Sequence, residues 1–351
     1  MRRFASLLGL FLLLVGAAAG AYLWLQHEFT TEGPLQEPVR IEVRPGESVR
    51  SVLARLEKVG AVKHARQVEL YLRLHRRQPK IHVGPYEIPA RASPEHILRM
   101  LEEGRVILEA LTIVEGTTFA DLRRALERHP GVVSTLRGRS DEEVMAAIGR
   151  PGEHPEGRFF PDTYRFARGT SDVEILSLAY ASMQRVLEDA WARRREGLPI
   201  ETPYEALILA SIVEKETGLA EERPLIAGVF ISRLRKGMRL QSDPTVIYGL
   251  GERYDGDIRS RDLVTDTPYN TYTRAGLPPT PIALPGRDSL LAVVQPQETG
   301  ALYFVATGEG DGAHYFSKTL KEHNEAVRRY LARLRARQRQ PSDGVTEVKA
   351  K

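Results

Sequence analysis

The stretch EALILASIVEKETG, residues 205–218, decides how this chain is interpreted. Its apolar residues cover almost every side of a helix predicted from Tyr204 to Thr217, which is typical of a helix buried on most sides. Gly218 is well placed as the residue after the helix C-terminus. Glu214 then lies in the last turn, against an apolar body and at the negative end of the helix dipole. Both effects are expected to raise the pKa of its carboxyl group, as a general acid near neutral pH requires.

Glu216 lies two positions further along and projects to a roughly opposite side of the helix. The two carboxyl groups are therefore not expected to form one paired site. Glu216 is instead expected to bond a basic side chain such as Arg233 or Arg239. Composition and periodicity alone also allow a simpler interpretation, in which the Glu-Lys-Glu cluster is an ordinary solvated helix end.

The composition of the chain excludes several classes of active site. Its 351 residues are enough for two domains and include no cysteine, which rules out disulfide bonds, thiolate metal sites and a cysteine nucleophile. The nine histidines include no HExxH pair, and the chain has no phosphate-binding glycine loop and no GxSxG serine elbow. We therefore expect no metal and no cofactor, and carboxylate chemistry remains. A formal charge of +4 does not by itself indicate nucleic-acid binding, and none is expected.

The N-terminus predicts a membrane anchor. Arg2 and Arg3 precede an uncharged apolar run, Phe4–Leu25, which as a helix spans about 33 Å, enough to cross a hydrocarbon core. Tyr22 and Trp24 fall where an outer interfacial belt lies, and the two arginines are on the expected cytoplasmic side. The chain beyond the anchor is then expected on the extracytoplasmic side of the cytoplasmic (inner) membrane. A cleaved signal peptide is the alternative, and the sequence leaves open whether the anchor is ever removed.

The remaining pattern predicts an α+β fold with a small and a large domain. Alternating apolar residues at 39–43 indicate a strand, Pro45-Gly46 a turn, and the residues that follow a helix. The VRPGES opening of this βα unit, residues 43–48, resembles a LysM module, the small fold that binds peptidoglycan glycans. The predicted divisions are a cytoplasmic N-terminus and transmembrane anchor at 1–27, a linker at 28–38, a LysM-like subdomain at 39–108, a larger mixed α+β catalytic domain at 109–338, and a disordered tail at 339–351.

Four separate stretches of the chain carry a resemblance to a known family. They are EGRFFPDTYRF, LASIVEKETGLAEERPLIAGVFISRLRKGMRLQSDPTVIYGLG, TPYNTYTRAGLPPTPIALPG and HYFSKTLKEHNEAV. In this order, between about residue 40 and residue 330, the chain closely resembles the YceG/MltG family of endolytic murein transglycosylases. The resemblance implies that the family's essential glutamate corresponds to Glu214.

The resemblance also implies a reaction, a lyase class and a set of partners. The family cleaves the MurNAc–GlcNAc bond inside nascent peptidoglycan strands, leaves a 1,6-anhydro-MurNAc end and so terminates strand elongation. Because the 6-hydroxyl of the sugar itself attacks C1, one glutamate can act first as acid and then as base, whereas hydrolysis usually needs a second carboxylate. The absence of an obvious carboxylate partner for Glu214 is then understandable. The implied partners are glycan strands, and glycan polymerases and transpeptidases of wall synthesis.

Two polar stretches are candidates for substrate binding, since hydroxyl, amide and aromatic side chains suit a glycan cleft. The alternative is that the prolines around them make ordinary turns with capping polar residues. Asp162 either faces the cleft or caps a turn, and His314 and His323 are interpreted as structural. The candidate substrate-binding residues are Gln241, Ser242, Asp243, Thr245, Tyr248, Tyr269, Asn270, Thr271 and Tyr272.

Two other functions remain open at this level. One is a scaffold that holds peptidoglycan without cutting it, although an intact glutamate in the matched stretch argues against this. The other is a hydrolytic muramidase, which needs Asp162, Asp243 or another carboxylate near the acid to manage water.

Overall fold

The computed structural model describes residues 2–339, with side chains described at 8–336. The tail predicted at 339–351 lies outside this range except for Arg339, which ends a helix. The chain divides into two compact units, one of Met1–Ala110 with Arg165–Thr170 and the other of Leu111–Tyr164 with Ser171–Lys351. The mixed α+β class with an apolar N-terminal helix is confirmed. The predicted domain boundaries stay predictions.

The first unit begins with a long helix and continues with a β-α-α-β arrangement. Its two strands pair antiparallel, in a register that runs from Val39 opposite Ile88 to Val43 opposite Gly84. Ser48 and Ser93 cap two of the helices with side-chain hydrogen bonds to the first turn. The elements are α1 (Arg2–Thr30), β1 (Val39–Val43), α2 (Val49–Lys58), α3 (Ala65–Leu74), β2 (Gly84–Ile88), α4 (Pro94–Glu102) and β3 (Leu108–Thr112).

Helix α1 contains a segment, Leu8–Thr30, that is long and apolar enough to cross a membrane. The helix does not stop at the predicted end of the anchor. It continues through residues 28–30, and Leu25 and Phe29 are buried in the core of the first unit. The predicted linker therefore begins inside a helix that is packed on protein.

The second unit is built around four helices. Helices α7, α8, α9 and α12 pack on one another and share a single apolar core. Strands β7 and β8 pair in an antiparallel hairpin. The elements are α5 (Phe119–Arg128), β4 (Val132–Val133), α6 (Asp141–Ala147), β5 (Thr163–Ala167), β6 (Thr170–Ser171), α7 (Asp172–Ala192), α8 (Pro203–Glu216), α9 (Arg223–Arg235), α10 (Asp243–Leu250), a 3₁₀ turn (Gly251–Arg253), α11 (Ser260–Val264), α12 (Arg287–Val294), β7 (Tyr303–Ala306), β8 (His314–Ser317) and α13 (Leu320–Arg339).

Helix α8 is the buried helix that its sequence predicts. Thr202 and Glu205 form a capping box at its start, with Pro203 in the first turn. Every residue from Ala206 to Val213 is buried, and the helix ends at Glu216 because Thr217 adopts an extended conformation. Its last turn, with Glu214 and Glu216, emerges from this core and supplies both carboxyl groups of the candidate site.

Candidate active site

Glu214 forms hydrogen bonds to the N-terminal end of helix α12. Its Oε2 accepts hydrogen bonds from the backbone N–H of Gly286, 2.9 Å away, and from the Ser289 hydroxyl, 2.7 Å away. Gly286 is the residue that caps α12, so the carboxylate also meets the positive end of that helix dipole. The Arg223 guanidinium is 3.6 Å from Oε1, and the Glu214 side chain is only 6% exposed. These contacts come from segments far along the chain, and the local sequence does not reveal them.

Arg223 is the centre of a small charged cluster around Glu214. One of its nitrogens lies 3.9 Å from the Glu115 carboxylate and the other 3.7 Å from that of Asp288. Burial, and then the charge of Glu214, raise the pKa of Glu115. The neighbouring Lys215 donates to a backbone carbonyl rather than to this cluster. The surroundings of Glu214 are thus those of a charge network that joins α8, α9 and α12.

Glu216 projects in a different direction and lines a cleft of about 560 Å³. Its Oε1 accepts a hydrogen bond from the Ser242 hydroxyl. Burial raises the pKa of Glu216 to about 7, and the charge of Asp243 acts in the same direction. The Ser242 hydrogen bond and the Arg233 guanidinium oppose this rise. Glu216 therefore has the protonation behaviour that was expected of a general acid near neutral pH.

The cleft is formed by parts of the chain that are far apart in sequence. The end of α8 and the segment before α10 form one wall, while the β7–β8 hairpin and α13 form another. Its volume falls within the range of small-molecule sites, and its lining mixes aromatic, amide and charged groups. The lining residues are Glu216, Arg233, Leu240, Gln241, Asp243, Tyr272, Tyr303, Phe304, Val305, Ala306, His314, Leu320, His323, Asn324 and Val327.

Three of the predicted substrate-binding residues line this cleft, and a fourth lies directly behind them. Gln241 has a left-handed backbone, with a φ of 52°, which turns the chain at the rim. Asp243 accepts a hydrogen bond from the Tyr272 hydroxyl, 2.5 Å away. Ser242 is buried and reaches Glu216.

Three other predicted residues are buried and bonded within the protein. Asn270 donates through Nδ2 to three backbone carbonyls, and its Oδ1 accepts from the Tyr272 N–H. The Thr271 hydroxyl accepts from the backbone N–H of Ser242 and lies 2.9 Å from the hydroxyl of Thr245. These contacts fix the loop that carries Ser242, in agreement with the alternative of capped turns.

The last two predicted residues belong to a separate polar site. The Tyr248 hydroxyl donates to the carboxylate of Glu156, 3.0 Å away, and the Tyr269 hydroxyl lies 2.9 Å from that of Thr280. The two tyrosine rings pack edge to face. Burial raises the pKa of Glu156 to about 7, but this carboxyl also accepts a backbone N–H at the start of α5.

Several cleft residues were missed or interpreted differently at the sequence level. The buried Arg233 donates to the carbonyls of Leu302 and Leu240, and so ties the hairpin to the cleft floor. His314 pairs with a carboxylate, as a structural histidine would, although it also lines the cleft. His323 stacks on the ring of Tyr303, and its buried Nδ1 has no hydrogen-bond partner. No local pattern marks these residues, because their proximity depends on long-range packing of the hairpin and α13.

The YceG-like family model matches residues 41–329, which include both glutamates and the whole cleft. The chain belongs to the YceG-like family. It is 29% identical over 311 residues to the endolytic murein transglycosylase of Bacillus subtilis strain 168, which covers 84% of the chain and 85% of that relative. It is 26% identical over 353 residues to the endolytic murein transglycosylase of Streptococcus pneumoniae serotype 2, covering 90% of the chain and 63% of that relative.

A solved structure of the same family agrees with the fold. The crystal structure of a yceG-like protein from Listeria monocytogenes matches 82% of this YceG-like chain and 99% of its own, with a TM-score of 0.52 and 28% identity.

Proposed function

We propose that this YceG-family chain, an enzyme of the lytic transglycosylase class, cleaves the MurNAc–GlcNAc bond inside nascent peptidoglycan strands. The products carry 1,6-anhydro-MurNAc ends, and elongation of the cut strand stops. The observation that carries the proposal is the Glu216 carboxyl group, which lines a cleft of about 560 Å³ and whose pKa burial raises to about 7. Such a group is protonated often enough near neutral pH to donate to a glycosidic oxygen.

Glu216 supplies both proton transfers of the proposed reaction. Its carboxyl group donates a proton to the bridging oxygen as the bond from that oxygen to C1 of MurNAc breaks. The 6-hydroxyl of the same MurNAc forms a new bond to C1 and passes its proton to the Glu216 carboxylate. The acid is thereby restored, and no water is consumed. Tyr272, Gln241 and Asn324 line the cleft and are the proposed sugar contacts, Tyr272 by stacking on a sugar ring and the two amides by bonding N-acetyl groups.

The geometry favours Glu216 over Glu214, the residue assigned from the family resemblance. Glu214 does not line this cleft, and its carboxylate is already engaged by Gly286, Ser289 and Arg223. The assignment to Glu214 stays a prediction, and the two residues make a matched pair because they lie on the same helical turn.

The decisive experiment compares Glu216→Gln and Glu214→Gln. The full chain, in detergent, is incubated with uncrosslinked glycan strands, and the new ends are identified by mass. We expect Glu216→Gln to remove cleavage while the protein stays folded, and Glu214→Gln to retain it in the folded fraction. A folded Glu216→Gln variant that cuts normally, beside an inactive folded Glu214→Gln variant, contradicts this assignment and restores the one from sequence.

A hydrolytic muramidase is the second candidate, because Asp243 lines the same cleft as Glu216. Asp162, the other carboxylate considered, does not line this cleft. A muramidase leaves ordinary reducing ends in the same mass analysis, whereas the lyase leaves anhydro ends. The absence of any new ends supports the glycan-binding scaffold.

The remaining proposals concern location and partners. We propose that α1 crosses the cytoplasmic membrane once, with both units on the extracytoplasmic side. Leu25 and Phe29, near the end of α1, are buried in the first unit, so the helix runs without a break from the proposed span into folded protein. The β-α-α-β arrangement of residues 39–88 supports a LysM-like module that binds glycan. Glycan polymerases and transpeptidases of wall synthesis are the proposed protein partners.

A further inference from the structure

Helices α1 and α3 pack side by side and run in opposite directions. The Tyr22 hydroxyl lies 3.2 Å from Nε2 of His75, which follows the last residue of α3. Further along α1, the ring of Phe29 stacks on Tyr71, with centroids 4.2 Å apart. The C-terminal end of α3 is therefore level with Tyr22, and the N-terminal end of α3 lies on the side of the last turn of α1.

The packing of α1 also shows which part of the helix is free to contact lipid. Tyr22 and Trp24 are 42% and 47% exposed, whereas Leu25 and Phe29 are 7% and 2% exposed and pack on protein. The helix available to lipid thus ends near Trp24. Residues 4–24 span about 30 Å as a helix, which matches the hydrocarbon core of a bilayer. A spanning α1 therefore places the end of α3 at the membrane surface without a spacer.

This end of α3 has the chemistry of a membrane-facing surface. Leu70 and Leu74 are four residues apart on one helix face and are 47% and 56% exposed. The segment 73–80, RLHRRQPK, contains three arginines and one lysine. Arg73 pairs with Glu69 and Arg77 with Glu102, so the charge available to lipid is that of Arg76 and Lys80. Arg76 and Lys80 are exposed, and Arg76 holds a left-handed backbone with a φ of 51°.

We propose that the basic segment 73–80, with its exposed Leu74, docks the first unit onto anionic lipid headgroups. The inference rests on the proposed membrane anchor. Apolar side chains beside cations are the combination that binds an anionic interface, since the apolar group enters the headgroup region while the cations meet the lipid charge. The docking gives the first unit a second contact with the membrane beside α1 and so fixes its tilt.

The absence of cysteine makes a direct test possible. Nitroxide labels are placed, one at a time, at Leu74→Cys, Arg66→Cys and Leu12→Cys in the full chain, reconstituted into vesicles of phosphatidylcholine and phosphatidylglycerol. Collision with oxygen reports contact with lipid, and collision with a water-soluble nickel complex reports contact with water. Arg66 is an exposed residue on the same helix, about 12 Å further from the membrane by helical rise, and serves as the matched control.

We expect the Leu74 label to lose nickel accessibility and gain oxygen accessibility relative to the Arg66 label. Replacing Arg76 and Lys80 by glutamine should return the Leu74 label towards water. Equal, fully aqueous behaviour at Leu74 and Arg66, with Leu12 embedded in lipid, overturns the docking but leaves the anchor intact. An aqueous label at Leu12 overturns the anchor itself and the docking with it.

Discussion

The raised pKa of Glu216 makes a quantitative prediction about stability. An ordinary glutamate titrates at 4.5, and burial raises this one to about 7 in the folded protein. Folding then favours the protonated form, so the contribution of Glu216 to stability is fully present below pH 4.5 and is lost as the pH rises to about 7. At 1.36 kcal/mol per pKa unit, the loss is about 3 kcal/mol. Glu216→Gln removes this titration.

The predicted result is therefore a change with pH in the difference between the variant and the wild type. We expect Glu216→Gln to gain about 3 kcal/mol in the free energy of unfolding, relative to the wild type, between pH 4.5 and pH 8. Other titrating groups, including Glu156, cancel because both proteins contain them. Urea unfolding is followed by Trp191, which packs against the core of the second unit, after Trp24→Phe removes the other tryptophan.

A difference in stability that does not change with pH refutes this reasoning. It shows that Glu216 is ionised in the folded protein at the same pH as in the unfolded chain. The same result removes the physical basis for using Glu216 as the acid. The measurement thus tests the proposed site without requiring substrate.

Three further predictions concern the pH dependence of activity, the role of Glu214 and the packing of a buried glycine. Glu216 must be protonated to act, so activity should fall as the pH rises through about 7. Because the charge of Asp243 raises the pKa of Glu216, Asp243→Asn should shift this fall in the pH profile of kcat/KM to lower pH. An unchanged profile shows that Asp243 does not act on the acid. Glu214→Gln should destabilise the folded protein by about 2 kcal/mol at neutral pH, because two hydrogen bonds to a buried carboxylate weaken. Urea unfolding measures this change, and a variant as stable as the wild type argues against a structural role for Glu214. Gly228→Ala should lower the free energy of unfolding by about 1–3 kcal/mol, since its new methyl group meets a backbone carbonyl. Gly218→Ala is the control, because its methyl group enters open space and should change the melting temperature little. Equal melting temperatures for the two variants contradict the close packing at Gly228.

The parts of the fold that follow from local pattern were predictable. The apolar run at the N-terminus forms one long helix, and the buried helix predicted at 204–217 is observed at Pro203–Glu216. Helical periodicity and capping act within a few residues, so the sequence contains their cause. The opposite directions of Glu214 and Glu216 follow from helix geometry for the same reason.

The division of the predicted binding residues between cleft and scaffold was not predictable. Gln241 and Tyr272 line the cleft, whereas Asn270 and Thr271, in the same polar loop, bond buried backbone groups. Turn residues that cap a loop and residues that bind a sugar are of the same chemical types. Their roles differ only in what packs against them, and that packing is long-range.

The amino-acid sequence by itself determined that a buried helix ends in two glutamates, that an apolar helix precedes the rest, and that carboxylate chemistry is the chemistry available. Only the tertiary structure decided what each glutamate meets. Helix α12 presents its N-terminus and a serine to Glu214, while the β7–β8 hairpin and α13 enclose the cleft at Glu216. Because burial and nearby charge set the properties of a carboxyl group, and both come from segments far along the chain, local sequence could not distinguish the two.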